Sequence, residues 1–177
     1  LDDPDYRPQP TSFVFSGKAA QSYDFAKEVI RLINSVADVV NGDPKVSGLI
    51  KVAFVPNFAV SNAQLIYPAA EISEQISTAG TEASGTSNMK LMMNASITLG
   101  TYDGANIEIA DLAGHENEVI FGLTEPEVQK MVDEGSYNPW DYYNNDTRIK
   151  NVLDSLITGP WALKSDGRFR MIFDEIM

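Results

Sequence analysis

Short apolar runs alternate with helical stretches along this chain, and that alternation limits the fold more than any other feature. Leu49-Ile50-Lys51-Val52-Ala53-Phe54-Val55, Ile97-Thr98-Leu99 and Val119-Ile120-Phe121 lack the strict polar–apolar alternation of a strand with one wet face. Thr11-Ser12-Phe13-Val14-Phe15 is a further β-rich run, ended by Gly17. Between the first run and Leu49, apolar side chains recur three or four apart at Phe25, Ala26, Val29, Ile30, Ile33, Val36, Ala37 and Val40. Lys27, Glu28, Arg31, Asn34 and Asp38 occupy the opposite face. This predicts an amphipathic helix of about five turns, with Ser22 as its N-cap, closed by Gly42 with Pro44 beyond. Apolar-run strands separated by helices predict an α/β fold, a Rossmann-like, mostly parallel sheet with helices on both faces. Ligands of such sheets sit at the carboxyl ends of strands, against helix N-termini.

Other elements follow from local signals. The Leu49–Val55 run reads as a largely buried strand stopped at Pro56, and Ser61 is expected to cap a short helix that ends before Pro68. Met89 to Asn94 and Asn106 to Leu112 read as helices. Thr124 with Glu127 three residues later marks a capping box. A helix around Ile149 to Ile157 is expected to finish the chain. The first ten residues carry Pro4, Pro8 and Pro10 among charges and read as a linker or extended lead-in. That leaves 11–177 as one partial Rossmann-like domain.

The 177 residues hold 25 acidic against 13 basic side chains, a formal charge of −12, so nucleic acid and anionic membranes are repelled at long range. A neutral partner such as a sugar is compatible. There is no cysteine, hence no disulfide framework and no thiol nucleophile. A single histidine, His115, excludes a two-histidine zinc site and argues against a Ser-His triad. No metal site is expected. No apolar run reaches the ~18 residues of a bilayer span, and the acidic start is no signal peptide, so a cytoplasmic location is the expectation. Opening on Leu1 rather than Met points to a piece of a longer polypeptide.

The stretch Ser77-Thr78-Ala79-Gly80-Thr81-Glu82-Ala83-Ser84-Gly85-Thr86-Ser87-Asn88-Met89-Lys90 carries the chemistry. Gly80 and Gly85 permit positive φ, and Gly85 lets the main chain approach a ligand closely. Thr86 and Ser87 offer hydroxyls and backbone N–H groups at a predicted helix start, which favours an anion. Lys90 lies one helical turn past Thr86, on the same face. A lysine beside a phosphate cradle is what pyridoxal phosphate needs, since the amine forms a Schiff base and the cradle holds the 5′-phosphate. Gly80-x4-Gly85 imitates a P-loop, but Thr86 stands where that motif places lysine. Ser87-x-x-Lys90 imitates a serine acyl-enzyme pair, without its Lys-Thr-Gly companion. On spacing alone, the stretch fits a loop with a solvated lysine as well as it fits a cofactor site.

Longer segments break that tie. Glu71 to Gly80, Glu82 to Lys90, and Leu99-Gly100-Thr101-Tyr102-Asp103-Gly104-Ala105-Asn106-Ile107-Glu108 together resemble the α-glucan (glycogen, starch and maltodextrin) phosphorylases. Gly17-Lys18-Ala19-Ala20 and Val39-Val40-Asn41-Gly42-Asp43-Pro44 are similar to earlier segments of the same family. The resemblance implies part of the C-terminal half of a two-domain, GT-B type glycosyltransferase. It implies that Lys90 carries pyridoxal phosphate and that Gly85, Thr86 and Ser87 supply part of the cradle for its phosphate. That phosphate exchanges a proton with the substrate phosphate as an α-1,4-glucan is cleaved to α-glucose 1-phosphate. Glu82 would hydrogen-bond a glucose hydroxyl, and the amides of Ala83, Ser84 and Gly85 would line the same sugar.

The implied partners are α-glucan with inorganic phosphate or glucose 1-phosphate, an N-terminal domain of the parent chain, and a second copy in a homodimer. The other domain and an upstream basic segment would complete the cleft, so these residues alone are expected to be inert. Two departures stand out: Ser87 where relatives usually have glycine, and Phe58-Ala59 where they commonly have tyrosine then arginine. Losing that phenol and guanidinium should weaken the hold on the cofactor phosphate. Phe58 and Ala59 are therefore pocket neighbours rather than ligands. A non-catalytic carbohydrate-binding or scaffold domain, or a nucleotide-sugar glycosyltransferase of the same architecture, are the alternatives. His115 is expected on the surface, and Trp140, Tyr142 and Tyr143 are expected to pack against the sheet rather than form a sugar-stacking shelf.

Overall fold

The computed structural model describes residues 8–177, the Lys164 side chain excepted. Residues 1–7 of the predicted lead-in lie outside the described residues, and Pro8 to Pro10 form no regular element. In chain order the first elements are β1 (Thr11–Ser16), α1 (Asp24–Gly42), β2 (Ile50–Val55), α2 (Val60–Ile66), β3 (Ile72–Gln75), α3 (Ser87–Met92) and β4 (Ile97–Thr101). They are followed by α4 (Asn106–Ala113), β5 (Val119–Phe121), α5 (Glu125–Glu134), α6 (Pro139–Asn145), α7 (Thr147–Thr158) and α8 (Arg170–Ile176). The described residues fall into two units, one running up to Phe58 and resuming over Asn138–Met177, the other spanning Ala59–Tyr137.

In the first unit β1 and β2 pair in parallel, from Thr11 opposite Ile50 to Ser16 opposite Val55. Parallel neighbours need a crossover, and α1 is that crossover. Phe25, Val29 and Leu32, one stripe of α1, pack on a core of Leu153, Leu156, Phe169, Ile172 and Phe173 from α7 and the α8 region. The end of α1 is tied to β2 by Asn41, whose amide donates to the Val52 carbonyl (2.8 Å) and accepts from the Val52 N–H (3.0 Å). That side chain stands in for a neighbouring strand. Trp140 and Tyr143 meet edge to face at 5.4 Å and both meet Phe173, at 6.4 and 6.2 Å, so these two rings pack on α8 where the sheet was expected.

The second unit is a parallel sheet ordered β3-β4-β5, with Ile72 opposite Ile97 and Leu99 opposite Val119. α3 lies between β3 and β4 in sequence and α4 between β4 and β5. The architecture is α/β, with parallel strands in open sheets flanked by helices, as expected. β5 is preceded by Glu118, a buried carboxylate accepting the Thr98 N–H at 2.5 Å. In the first turn of α5, Glu127 accepts the Thr124 N–H (2.8 Å), as the capping pattern required, and also the Thr124 hydroxyl (2.7 Å).

Several expectations are corrected. α1 starts at Asp24 after Tyr23 with no side-chain cap, so Ser22 does not cap it; Asp24 in the first turn instead pairs with Lys27 at 2.9 Å. α2 starts at Val60, leaving Ser61 inside the helix rather than capping it. Only Val52 of β2 is buried among the described residues, because just one neighbouring strand and α1 cover it. β3 and α8 are elements the sequence reading did not include.

Phe169 is fully buried in the first unit. Phe169→Ala is expected to cost about 3–5 kcal/mol in urea denaturation, while Leu163→Ala, at a site 82% exposed, stays within about 0.5 kcal/mol of wild type. Equal losses from both would overturn this placement of the core.

Candidate functional site

β3 and β4 deliver two connections to the same sheet end: the loop from Ile76 to Thr86, and the turn from Tyr102 to Ala105. The loop has no regular secondary structure of its own, yet it is tightly specified by one side chain from the turn. Asp103 is buried, and its Oδ2 accepts from the Ser77 hydroxyl (2.5 Å) and the Glu82 N–H (3.0 Å). Its Oδ1 accepts from the Gly80 N–H at 2.9 Å. Burial acts to raise the Asp103 carboxyl, but bonds from Ser77, Gly80, Glu82 and Gly104 more than offset it, so the net direction is downward.

Two further contacts close the loop onto the turn. The Thr101 hydroxyl donates to the Ser77 carbonyl (2.6 Å), and the Ala105 N–H donates to the Ser84 carbonyl (2.7 Å). The approach at Ser84 is close enough to exclude a side chain at residue 104. Gly104 has φ +53°, and an added Cβ would stand 2.7 Å from the Ser84 carbonyl oxygen. Gly85 holds φ +81°, the positive value anticipated for it.

α3 is fixed by a buried amide pair. Asn106 donates to the carbonyls of Gln75 and Thr101, both at 3.2 Å, and accepts from the Asn88 amide at 3.0 Å. Asn88 also reaches the Ser84 carbonyl at 3.3 Å. Gly100 leaves room for this pair, since a Cβ there would lie 2.7 Å from the Asn106 amide nitrogen. Ser87, at the first position of α3, donates its hydroxyl to the Gln75 side chain at 3.2 Å. It is not among the non-glycine residues with positive φ, so serine sits there without strain.

The side chains assigned to chemistry lie on this held backbone. Lys90 is exposed one turn into α3, with its N–H bonded to the Thr86 carbonyl at 3.2 Å. Among the described residues neither the Lys90 amine, the Thr86 hydroxyl nor the Glu82 carboxylate has a hydrogen-bond or ion-pair partner. Glu82, Ala83, Ser84, Gly85, Thr86, Ser87 and Lys90 thus belong to one continuous structure around the β3 and β4 ends. An open, largely apolar pocket of about 250 Å³ adjoins it, lined by Ala83, Ser84, Met89, Ala105, Ile109 and Leu112 among others. Phe58 and Ala59 fall at the division between the two units, after Asn57 at φ +53°. His115 is exposed and meets Asp111 at 3.1 Å, away from the loop. Asp103, Asn88 and Asn106 went unassigned in the sequence reading. For Asp103 and Asn106 the signal available was a polar residue just past a strand end.

The sign of the Asp103 shift sets a pH dependence. A carboxyl with a folded-state value below its unfolded one, ordinarily near ~4, stabilises the fold fully above that range. The contribution disappears as pH falls through the depressed folded value. Asp103→Asn is expected to cost about 2–3 kcal/mol at neutral pH. The gap from wild type should hold down to about pH 5 and narrow below about pH 4 in urea titrations. A gap insensitive to pH over that range would show that the charge of Asp103 is not what holds the loop.

Comparison with known proteins bears on the same residues. A family model of the carbohydrate phosphorylases matches residues 1–177. The chain is 52% identical over 168 residues to a protein named glycogen phosphorylase from Synechocystis sp., covering 95% of this chain and 20% of that protein. It is 49% identical over 176 residues to one from Haemophilus influenzae, covering 99% and 21% respectively. Identity to glycogen phosphorylase 2 of Dictyostelium discoideum is 55% over 150 residues, covering 83% of this chain and 14% of that protein. The chain spans only about a fifth of the length of the first two relatives. Because the family match runs from the first residue to the last and takes in the whole Ser77–Asn106 site, the chain belongs to the carbohydrate phosphorylase family, whose fold is of the GT-B glycosyltransferase type.

Proposed function

We propose that the intact polypeptide containing these residues is an α-glucan phosphorylase: it cleaves an α-1,4-glucan with inorganic phosphate, releases α-glucose 1-phosphate, and holds pyridoxal phosphate on Lys90. The observation that carries this reading is the Lys90 amine, exposed and without a partner among the described residues, one helical turn beyond Gly85 and Thr86, on a segment held at Gly80, Glu82, Ser84 and Asn88. The donor set suits the group. An amine suits its aldehyde, and the Thr86 hydroxyl with the N–H groups of Gly85 and Ser87, which have no hydrogen-bond partner among the described residues, suits its phosphate. When bound, the cofactor supplies a phosphate that can give and take a proton beside the substrate phosphate.

The remaining work belongs to the chain. The Glu82 carboxylate, free of any internal partner, accepts from a glucose hydroxyl, and the amides of Ala83, Ser84 and Gly85 line the same sugar. Holding the Glu82 N–H on Asp103 before substrate arrives removes part of the ordering cost at binding. In this reading residues 11–177 are part of the C-terminal, Rossmann-like domain, an N-terminal domain supplies the rest of the cleft, and the whole protein acts as a cytoplasmic homodimer. Family membership is the support for those assignments.

Borohydride reduction of the intact, cofactor-loaded polypeptide should leave a pyridoxyl group on Lys90, located by peptide mass spectrometry. Lys90→Ala should lose near-ultraviolet absorption and reduce glucose 1-phosphate release to background. Label on another lysine, or a fully active Lys90→Ala protein, would exclude the proposal. A protein with no chromophore that transfers from a nucleotide sugar would support the alternative chemistry instead.

A further inference from the structure

The turn after β4 touches both halves of the site, but through different side chains. Asp103 reaches only the Ser77–Glu82 side of the loop, through the Ser77 hydroxyl and the N–H groups of Gly80 and Glu82. Asn106 reaches α3, through its 3.0 Å bond with Asn88, and the ends of β3 and β4 through the Gln75 and Thr101 carbonyls. Both are buried, so each bond forgone inside would leave a desolvated polar group without compensation. Neither side chain bonds the Glu82 carboxylate or the Lys90 amine, and both Glu82 and Lys90 are exposed.

We infer that the turn Thr101–Asn106 is a positioning element with two separable arms: Asp103 sets the sugar-facing backbone at Glu82, and Asn106, acting through Asn88, sets the helix that carries Lys90. This rests on the reading of Glu82 as the sugar-facing carboxylate and Lys90 as the cofactor lysine. Both Asp103 and Asn106 are positioning residues, since neither is placed against substrate or cofactor. The chemistry of the arms differs. A carboxylate offers acceptors only, which matches the hydroxyl and N–H groups converging on Asp103. A primary amide offers both, which matches Asn106 donating to two carbonyls while accepting from Asn88.

That difference dictates the test. Asp103→Asn replaces one acceptor by a donor. The Ser77 hydroxyl can turn to accept from it, whereas the Gly80 or Glu82 N–H cannot, so one of those amides loses its partner. Asn88→Ala removes the link from α3 to Asn106 but leaves Ser84 held by the Ala105 N–H. Both variants are made in the intact polypeptide. Cofactor affinity is read from the near-ultraviolet titration, and glucose 1-phosphate affinity by calorimetry without an acceptor glucan.

Asp103→Asn should lower kcat/KM for glucose 1-phosphate by about 10²-fold, the scale of a 1 Å misplacement, with its calorimetric affinity falling and cofactor affinity unchanged. Asn88→Ala should weaken cofactor affinity by about tenfold, and at saturating cofactor leave glucose 1-phosphate affinity as in wild type. Ser77→Ala, which removes a single Asp103 partner, should follow Asp103→Asn in direction with a few-fold effect, and it decides the matter if Asp103→Asn does not fold. Glu82→Gln and Lys90→Ala run alongside: if Glu82→Gln leaves glucose 1-phosphate affinity intact, or Lys90→Ala leaves cofactor binding intact, the reading of those residues has failed. If both behave as read, and the Asp103 and Asn88 variants shift the two affinities together or shift neither, the two-arm assignment is overturned.

Discussion

A buried carboxylate with no cation beside it among the described residues is the constraint on which this site is built. Isolated in a protein interior, the Asp103 charge would be severely destabilising, and it persists because hydroxyl and N–H donors surround it. The donors come from a loop with no regular structure, so the loop must bend until three of its residues point at one spot. That requirement explains the composition of the segment. Gly80 at φ +87° and Gly85 at φ +81° supply the reversals, and Gly104 at φ +53° lets the Ser84 carbonyl come close. What reads as a soft glycine-rich stretch is held at intervals along its length.

The same device recurs wherever a strand or loop lacks a backbone neighbour. Asn41 serves both the N–H and the carbonyl of Val52 in the first unit. Glu118 accepts the N–H of Thr98 in the second, and Asn106 covers the carbonyls at the ends of β3 and β4. Each is a polar side chain acting as surrogate main chain. Backbone groups buried without a partner are costly, and short strands in narrow sheets create many of them. These residues therefore do structural work that their polarity would not reveal, and Asn41 and Asn106 do it in stretches that also carry the family resemblance.

Legibility in the sequence followed the range of the determining interactions. α1 was visible because its stripe is periodic within itself, and β1, β2, β4 and β5 because each is an apolar or β-branched run. The chain Ile72-Ser73-Glu74-Gln75 becomes a strand only through its ladder to β4, with Ser73 rather than an apolar residue turned inward, so nothing local announced it. α8 was hidden by Arg168 and Arg170, which break up the pattern of Phe169, Ile172 and Phe173. The Ser22 and Ser61 caps failed because a hydroxyl near a helix start is an opportunity that the chain need not use. In the site, Gly85, Thr86 and Lys90 were readable as a motif. Asn88, Asp103 and Asn106 were not, because each depends on a partner distant in sequence: Asn88 on Asn106, 18 residues away, Asp103 on Gly80, 23 away, and Asn106 on Gln75, 31 away.

Ser87 shows how the fixed backbone tolerates a departure from the family pattern. Glycine is demanded only where φ must be positive or where a Cβ would collide, and around this loop those demands fall on Gly80, Gly85, Gly100 and Gly104. Residue 87 instead opens α3 with ordinary helical geometry, so a side chain costs nothing conformationally. Once present, the hydroxyl binds Gln75, whose own amide is held by Ser73 at 2.9 Å, and this adds a tether between the Lys90 helix and β3. The freedom a glycine would have offered is thereby exchanged for restraint on the element that carries the exposed Lys90 amine.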